Sequence, residues 1–252
     1  MKTNYNSVLL KWTSALVCAL ALTQANAQTV RLHGSAALAK TLEPQKAALE
    51  SQSGVKLEIV SNGAGRGLAD LSGGQAEIAL LAGPLKGVAA AMNADKAGSV
   101  DIADMREIPL INVKIAFITH PSAGVKSLTD AQLRDVLTGK ATNWKEVGGA
   151  DLPIKLVLGF GADGSRVTVR ETVLQGADYS KSMIVRNTSK DISMVIAQLP
   201  GSCSPLAVQN VEGNVTTVAL EKEIFMPLEL VVKGEPAGDI KKVIQAVTAS
   251  VK

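Results

Sequence analysis

Apolar runs of strand length recur along the chain and alternate with stretches of helical spacing. The runs VKLEIV, AEIALLAG, VKIAFITH, IKLVLGF and LELVVKG are rich in Val, Ile and Leu, as strands buried on both faces require. Between them lie segments of helical periodicity, such as the one from Ser35 to Glu50. This alternation predicts α/β layers around largely buried sheets. TDAQLRDVLTG shows how one helix is punctuated: Thr129 or Asp130 caps its start, Leu133, Val136 and Leu137 form an apolar stripe, and Gly139 ends it. A last helix is predicted from about Ala237 to Ser250, with Ile240, Val243, Ile244 and Val247 toward the core. No repeat, long linker or low-complexity tract interrupts the pattern. Two lobes, if present, must therefore be joined by crossing strands.

The N-terminal stretch MKTNYNSVLLKWTSALVCALALTQANA has Lys2 and Lys11, an apolar run and then Ala25-Asn26-Ala27, the pattern of a secretory signal with a small-residue cleavage site. Residues 1–27 are expected to be removed, leaving Gln28 first; Val17 before Cys18 is too bulky for a lipid-anchor motif. Nothing beyond it has the unbroken apolar length to span a bilayer, so a soluble exported product is expected, periplasmic in a bacterium. The remaining chain of about 225 residues fits one large domain or two ordinary lobes. Trimming removes two lysines and no acid, so 26 basic residues become 24 against 23 acidic. With that balance and only 3% aromatic residues, nucleic-acid binding has no support. Cys203 is then the only cysteine, so no intramolecular disulfide can form, and burial as a small hydrophobe is its expected role. His33 and His120 lie far apart with no Cys or carboxylate cluster at ligand spacing, so neither a metal nor another cofactor is expected.

Three strand-to-helix turns are rich in small residues: RLHGSAALAK, IVSNGAGRGLADL and GFGADGSRVTVRETVL. Such turns leave free backbone N–H groups at a helix start, which favour an anion through hydrogen bonds and the helix dipole. The competing reading is that the glycines only permit tight turns. A dinucleotide site is disfavoured because Gly63, Gly65 and Gly67 give G-x-G-x-G rather than G-x-G-x-x-G. In the third turn Arg166 and Arg170 share a helix face and oppose the dipole, so a negative partner is expected; it could be a ligand, Asp163 or Glu171. Thr168 to Glu171 also reads as a capping box that would start the helix later. Ser165 or Ser35 with His33 or His120 would be the ingredients of an esterase, but neither serine stands in a nucleophile elbow and no orienting carboxylate is evident. Catalysis is not expected.

The segments GSAALAKTL, SNGAGRG, QAEIALLAGPL, SLTDAQLRDVLTGKATNWKEVGG and DGSRVTVRETVL follow one another in an order that resembles the phosphate-binding proteins of ABC transporters. The resemblance covers nearly the whole mature chain and is most specific from Ser127 to Gly149. It implies the type II periplasmic binding fold: two α/β lobes joined by crossing strands, with a ligand cleft between them. Residues 28–112 would form the first part of lobe 1, 113–204 lobe 2, and 205–252 the return to lobe 1. It also implies hinge closure around a solute and presentation to an ABC permease.

The ligand positions depart from the family pattern. Gly-Ser-Thr-Thr becomes Gly34-Ser35-Ala36-Ala37, and the second turn's serines fall on Ala64 and Gly65. An acidic residue that accepts the phosphate proton in many members falls near Ala82. Arg-x-Asp-Gly-Ser-Gly-Thr becomes Gly161 to Val167, keeping Asp163, Gly164 and Ser165. The expected contacts for phosphate or a related small anion are Ser35, Ala36, Ala64, Gly65, Asp163, Gly164, Ser165 and Arg166, with Arg166 replacing a lost donor. The alternative is a diverged scaffold serving another ligand or a protein partner in sensing or envelope processes.

Overall fold

The computed structural model describes residues 29–94 and 100–251; the secretory-signal reading therefore lies outside the described residues. The first strands are β1 (Val30–Gly34), β2 (Leu57–Ser61) and β3 (Ile78–Ala82), with helices α1 (Ala36–Leu42), α2 (Lys46–Ser53), α3 (Ala64–Ser72) and α4 (Leu85–Ala94) between and after them. A long strand, β4 (Met105–Thr119), leads to β5 (Ser127–Leu128), α5 (Asp130–Thr138), β6 (Lys155–Leu158), α6 (Gly164–Thr172), β7 (Ile184–Val185) and α7 (Ser189–Gln198). β8 (Ser202–Ala207), β9 (Thr216–Leu220), β10 (Ile224–Lys233) and α8 (Gly238–Ser250) complete the described chain.

Strand pairing divides these elements into two groups that meet along β4. The order across the sheet is β2-β1-β3-β10-β4-β8-β6-β7. β1, β2 and β3 are parallel, as are β6, β7 and β8. β10 pairs antiparallel with Met105 to Ile115 of β4, whereas β8 takes Ile115 to Thr119. β9 pairs with Phe117 to Thr119 on the edge opposite β8, and its end turns aside to pair with β5. β4 thus belongs to both groups, and the join is made of hydrogen-bonded strands, as the lack of a linker predicted. Pro109, which has no N–H to give a ladder, sits where the β4–β10 register shifts between Leu228 and Glu229. A bulge is where a strand proline can be tolerated.

Local sequence explains most element ends. Thr129 caps α5 in a capping box with Gln132, and Gly139 ends it in the left-handed region. α8 begins one residue after the expected Ala237 and buries Val243, Ile244 and Val247. The helix expected from Ser35 to Glu50 is instead broken by a 3-10 turn at Glu43–Gln45 that contains Pro44, because proline removes a helical donor and clashes with the preceding turn. In the ATNWKEVGG segment Asn143 caps a 3-10 turn in a box with Glu146. Trp144 is fully buried there and donates its indole N–H to the Gly201 carbonyl at 2.9 Å. Cys203 is buried, and burial pushes its thiol pKa well up.

The apolar interior continues across the join between the two groups. Ala162, just before α6, and Val167, in its first turn, pack in one cluster with Ala64, Leu68, Leu85, Val88 and Met92. That approach needs glycine at Gly164, where a Cβ would run into the Ala82 carbonyl.

Candidate anion-binding site

The parallel strands of both groups point their carboxyl ends at one cavity of about 160 Å³, the position where open α/β sheets usually bind ligands. Ser35 follows β1, Ser61 ends β2, Ala82 ends β3 and Ala207 ends β8, and all four line it. Six of the eight sequence-predicted contacts meet here: Ser35, Ala36, Ala64, Asp163, Gly164 and Ser165.

Each wall is shaped by a strand-to-helix turn. Ser35 is the N-cap of α1, its hydroxyl accepting from Ala37 N–H at 3.1 Å, while its own N–H donates to Leu80 O at 2.8 Å. The second turn is tied to the first: Asn62 and Gly63 N–H both donate to Gly34 O, at 3.0 and 2.8 Å. Gly67 lets α3 lie against this crossing, since a Cβ there would strike the His33 carbonyl. Asp163 is the N-cap of α6 and accepts from Arg166 N–H at 3.0 Å. Burial raises the Asp163 carboxyl pKa, and the N–H groups of Arg166 and Ser165 and the Arg166 charge offset that only in part. The helix therefore starts at Gly164 and not at the capping box read from Thr168 to Glu171; Thr168 is buried inside it.

Two expected contacts stand elsewhere. Gly65 is a packing position, where a Cβ would lie 2.5 Å from Met92 Sδ and 2.7 Å from Ala162 Cβ. Arg166 donates from Nη1 to Gly159 O at 2.9 Å, and its guanidinium stacks over the Tyr179 ring at 5.5 Å. Tyr179 reinforces this by donating its hydroxyl to Arg166 O at 2.8 Å. Arg170 pairs with Asp178 at 3.3 Å. Both arginines thus have protein partners, and none of the described residues that line the cavity is basic.

Sequence reasoning missed Asn187, Thr188, Ser189 and Asn210, which also line the cavity. The first three form a fourth strand-to-helix turn, in which the Thr188 hydroxyl caps α7 by accepting from Asp191 N–H at 3.0 Å. The Thr-x-x-Asp spacing was its signal, but without glycine the turn did not stand out. Asn210 has no local signal; a 3-10 turn after β8 brings it in, with Nδ2 3.3 Å from Ser189 Oγ.

Behind the second turn lies a polar cluster. His33 Nδ1 is 2.7 Å from Asp70 Oδ2, and Asn62 Nδ2 donates to the same oxygen at 2.8 Å. His120 is engaged separately by Ser122. The site can therefore offer serine and threonine hydroxyls, amides, helix-start N–H groups and one carboxyl.

A family described as the PBP superfamily domain matches residues 21–248. The phosphate-binding protein PstS of Bacillus subtilis (strain 168) is 30% identical over 159 residues, 63% of this chain and 50% of that protein, so the chain spans about half the length of this relative. The fold is similar to that of a phosphate ABC transporter substrate-binding protein from Clostridium perfringens, solved with bound phosphate: TM-score 0.74, 25% identity, 87% of this chain and 93% of that one. An ABC-type phosphate transport receptor from Vibrio cholerae shares the fold with a TM-score of 0.66 at 18% identity, over 87% of this chain and 93% of that one. The chain belongs to the PBP superfamily and has the two-lobed α/β fold of the type II periplasmic binding proteins.

Proposed function

We propose that the protein is an exported, non-catalytic solute-binding protein that holds phosphate or a closely related small oxyanion in the cavity and delivers it to an ABC permease from the periplasm. The observation that carries this reading is the convergence of helix starts and of the Ser35, Ser165, Thr188 and Ser189 positions on one cavity at the strand ends. Free N–H groups at such ends are suited to an oxyanion. The similarity to a relative solved with bound phosphate supports the same ligand class. No helix among the described residues is long and apolar enough to cross a membrane.

In this reading the lobes divide by strand pairing. The pairing of β9 with the end of β4 favours a return to lobe 1 at β10 rather than at residue 205. The contacts are Ser35, Ala36, Ala64, Asp163, Gly164 and Ser165, joined by Thr188, Ser189 and Asn210; Arg166 serves as a support for the α6 turn.

One observation favours the second reading, a diverged scaffold with another ligand or a protein partner: among the described residues, the lining holds no basic one. A charge-assisted hydrogen bond contributes about 1.5–3 kcal/mol, so an anion held only by neutral donors binds more weakly. Equilibrium dialysis against labelled phosphate separates the two. Saturable uptake that falls at least about tenfold in Ser165→Ala, the loss of one to two hydrogen bonds, supports the first. Uptake indistinguishable from a protein blank supports the second.

A further inference from the structure

A second cavity, of about 420 Å³, shares no lining residue with the anion site. The two lie at opposite ends of α6, which starts at Gly164 in one and reaches Thr172 in the other, roughly 12 Å further on at about 1.5 Å per residue. Its size falls in the roughly 300–1,000 Å³ range of small-molecule sites, which combine apolar walls with a few polar groups. Leu133 of α5, Val173 beyond α6, and Ile224 and Phe225 of β10 supply the apolar walls. Phe225 is 50% exposed between the buried Ile224 and Met226, so half of its surface stays open. The charges in these walls do not cancel. Lys222 pairs with Asp130 at 2.6 Å, and Glu223 with Lys114. Arg134 has no carboxylate partner among the described residues; its one side-chain hydrogen bond there runs from Nη2 to the Val173 carbonyl at 2.6 Å. A guanidinium carries five donors, so this capping of α6 leaves most of them open. Gln175, in the same wall, is the only described non-glycine residue with positive φ, 53°, directly before Gly176 at 87°. Glycine would hold that conformation without strain, and side chains kept in it cluster at functional sites.

We propose that this cavity is a second binding site, for a small carboxylate with a flat apolar ring: Arg134 holds the carboxylate through its open N–H groups, the Gln175 amide donates to the same group, and the ring lies against Phe225. A planar guanidinium matches a carboxylate through parallel hydrogen bonds, and two aromatic rings gain from an offset or edge-to-face contact. A bare phosphate could engage Arg134 but would leave the apolar walls in water. The site therefore differs from the anion cavity in ligand class as well as in place, and its assignment does not depend on the oxyanion reading.

The test is calorimetric titration of the full protein with sodium benzoate and with benzyl alcohol, which keeps the ring and lacks the charge. Wild type is expected to bind one benzoate saturably, at least about tenfold more tightly than benzyl alcohol, the value of one hydrogen bond to a charged group. Arg134→Met should weaken benzoate about tenfold and leave benzyl alcohol unchanged. Phe225→Ala should weaken both by about the same factor, the value of a partly buried ring. Phe225 is half exposed, so its replacement is compatible with folding and decides if Arg134→Met does not fold. Ser165→Ala and saturating inorganic phosphate should leave benzoate binding untouched. Loss of benzoate binding in Ser165→Ala, or its displacement by phosphate, would mean that the two anions share one site and overturns the proposal. So does the lack of saturable benzoate binding at about 10 mM, equal binding of benzoate and benzyl alcohol, or a benzoate affinity that Phe225→Ala leaves unchanged.

Discussion

Individual residues carry functional or structural demands that can be read one at a time. Trp144 fills the interior completely and uses its indole N–H on Gly201, so Trp144→Ala should cost about 3–5 kcal/mol and lower the urea midpoint without changing ligand specificity. Glu229 lies partly buried on β10, and burial, followed by the nearby Glu107 carboxylate, pushes its carboxyl up from 4.5 to about 7. A carboxyl whose folded value is raised stays protonated after the unfolded chain has lost its proton. Its contribution to stability is therefore full below pH 4.5 and is lost as pH rises through about 7. Glu229→Gln should remove that slope in melting temperature across this window; an unchanged slope would mean that Glu229 titrates normally. Ser35 and Asp163 stand at strand-to-helix turns legible in the sequence, where they cap α1 and α6, and Ser165 is expected from the family motif that Asp163, Gly164 and Ser165 keep. Arg166 could not be placed, because its direction is set by Tyr179 and Gly159, contacts made only once the α6 turn has folded.

At the scale of elements, the turns that build the cavity were legible in proportion to their glycine content. The first three announced themselves because close approach demands Gly67 and Gly164. The Asn187–Ser189 turn reaches the same cavity using only a threonine cap, and nothing in its composition distinguishes it from an ordinary helix start. The strand runs were equally plain where both faces are buried, but β4 begins eight residues before the VKIAFITH run at Val113. Its first part mixes exposed and half-buried positions and includes Pro109, so it lacks the apolar density that marks the other strands. The join of α6 to the first lobe makes a prediction of its own. Gly164→Ala places a methyl group against the Ala82 carbonyl and should cost about 1–3 kcal/mol through overpacking, with a matching loss of ligand affinity because the α6 turn is pushed off the cavity. Loss of stability with affinity unchanged would separate that turn from the site.

For the whole molecule, fold and ligand stand on different footings. The alternation of apolar runs with helical segments implied α/β layers, and the absence of a linker meant that two lobes, if present, would be joined through strands; β4 is shared between the two strand groups. In the proposed reading the ligand would be held by side chains from both strand groups that line the cavity, information that no single segment holds. In the proposed reading, a cavity with no basic residue among its described lining would derive its affinity from many neutral hydrogen bonds and from closure of the lobes around the solute. Titration calorimetry of purified, ligand-stripped protein with phosphate tests that claim most directly. One phosphate per chain, bound with an affinity that falls when Ser35 or Ser165 is replaced by alanine, is the predicted result. A cooperatively folded protein that gives no heat with phosphate at millimolar concentration, a level at which even a complex worth about 4 kcal/mol would begin to fill, would contradict it.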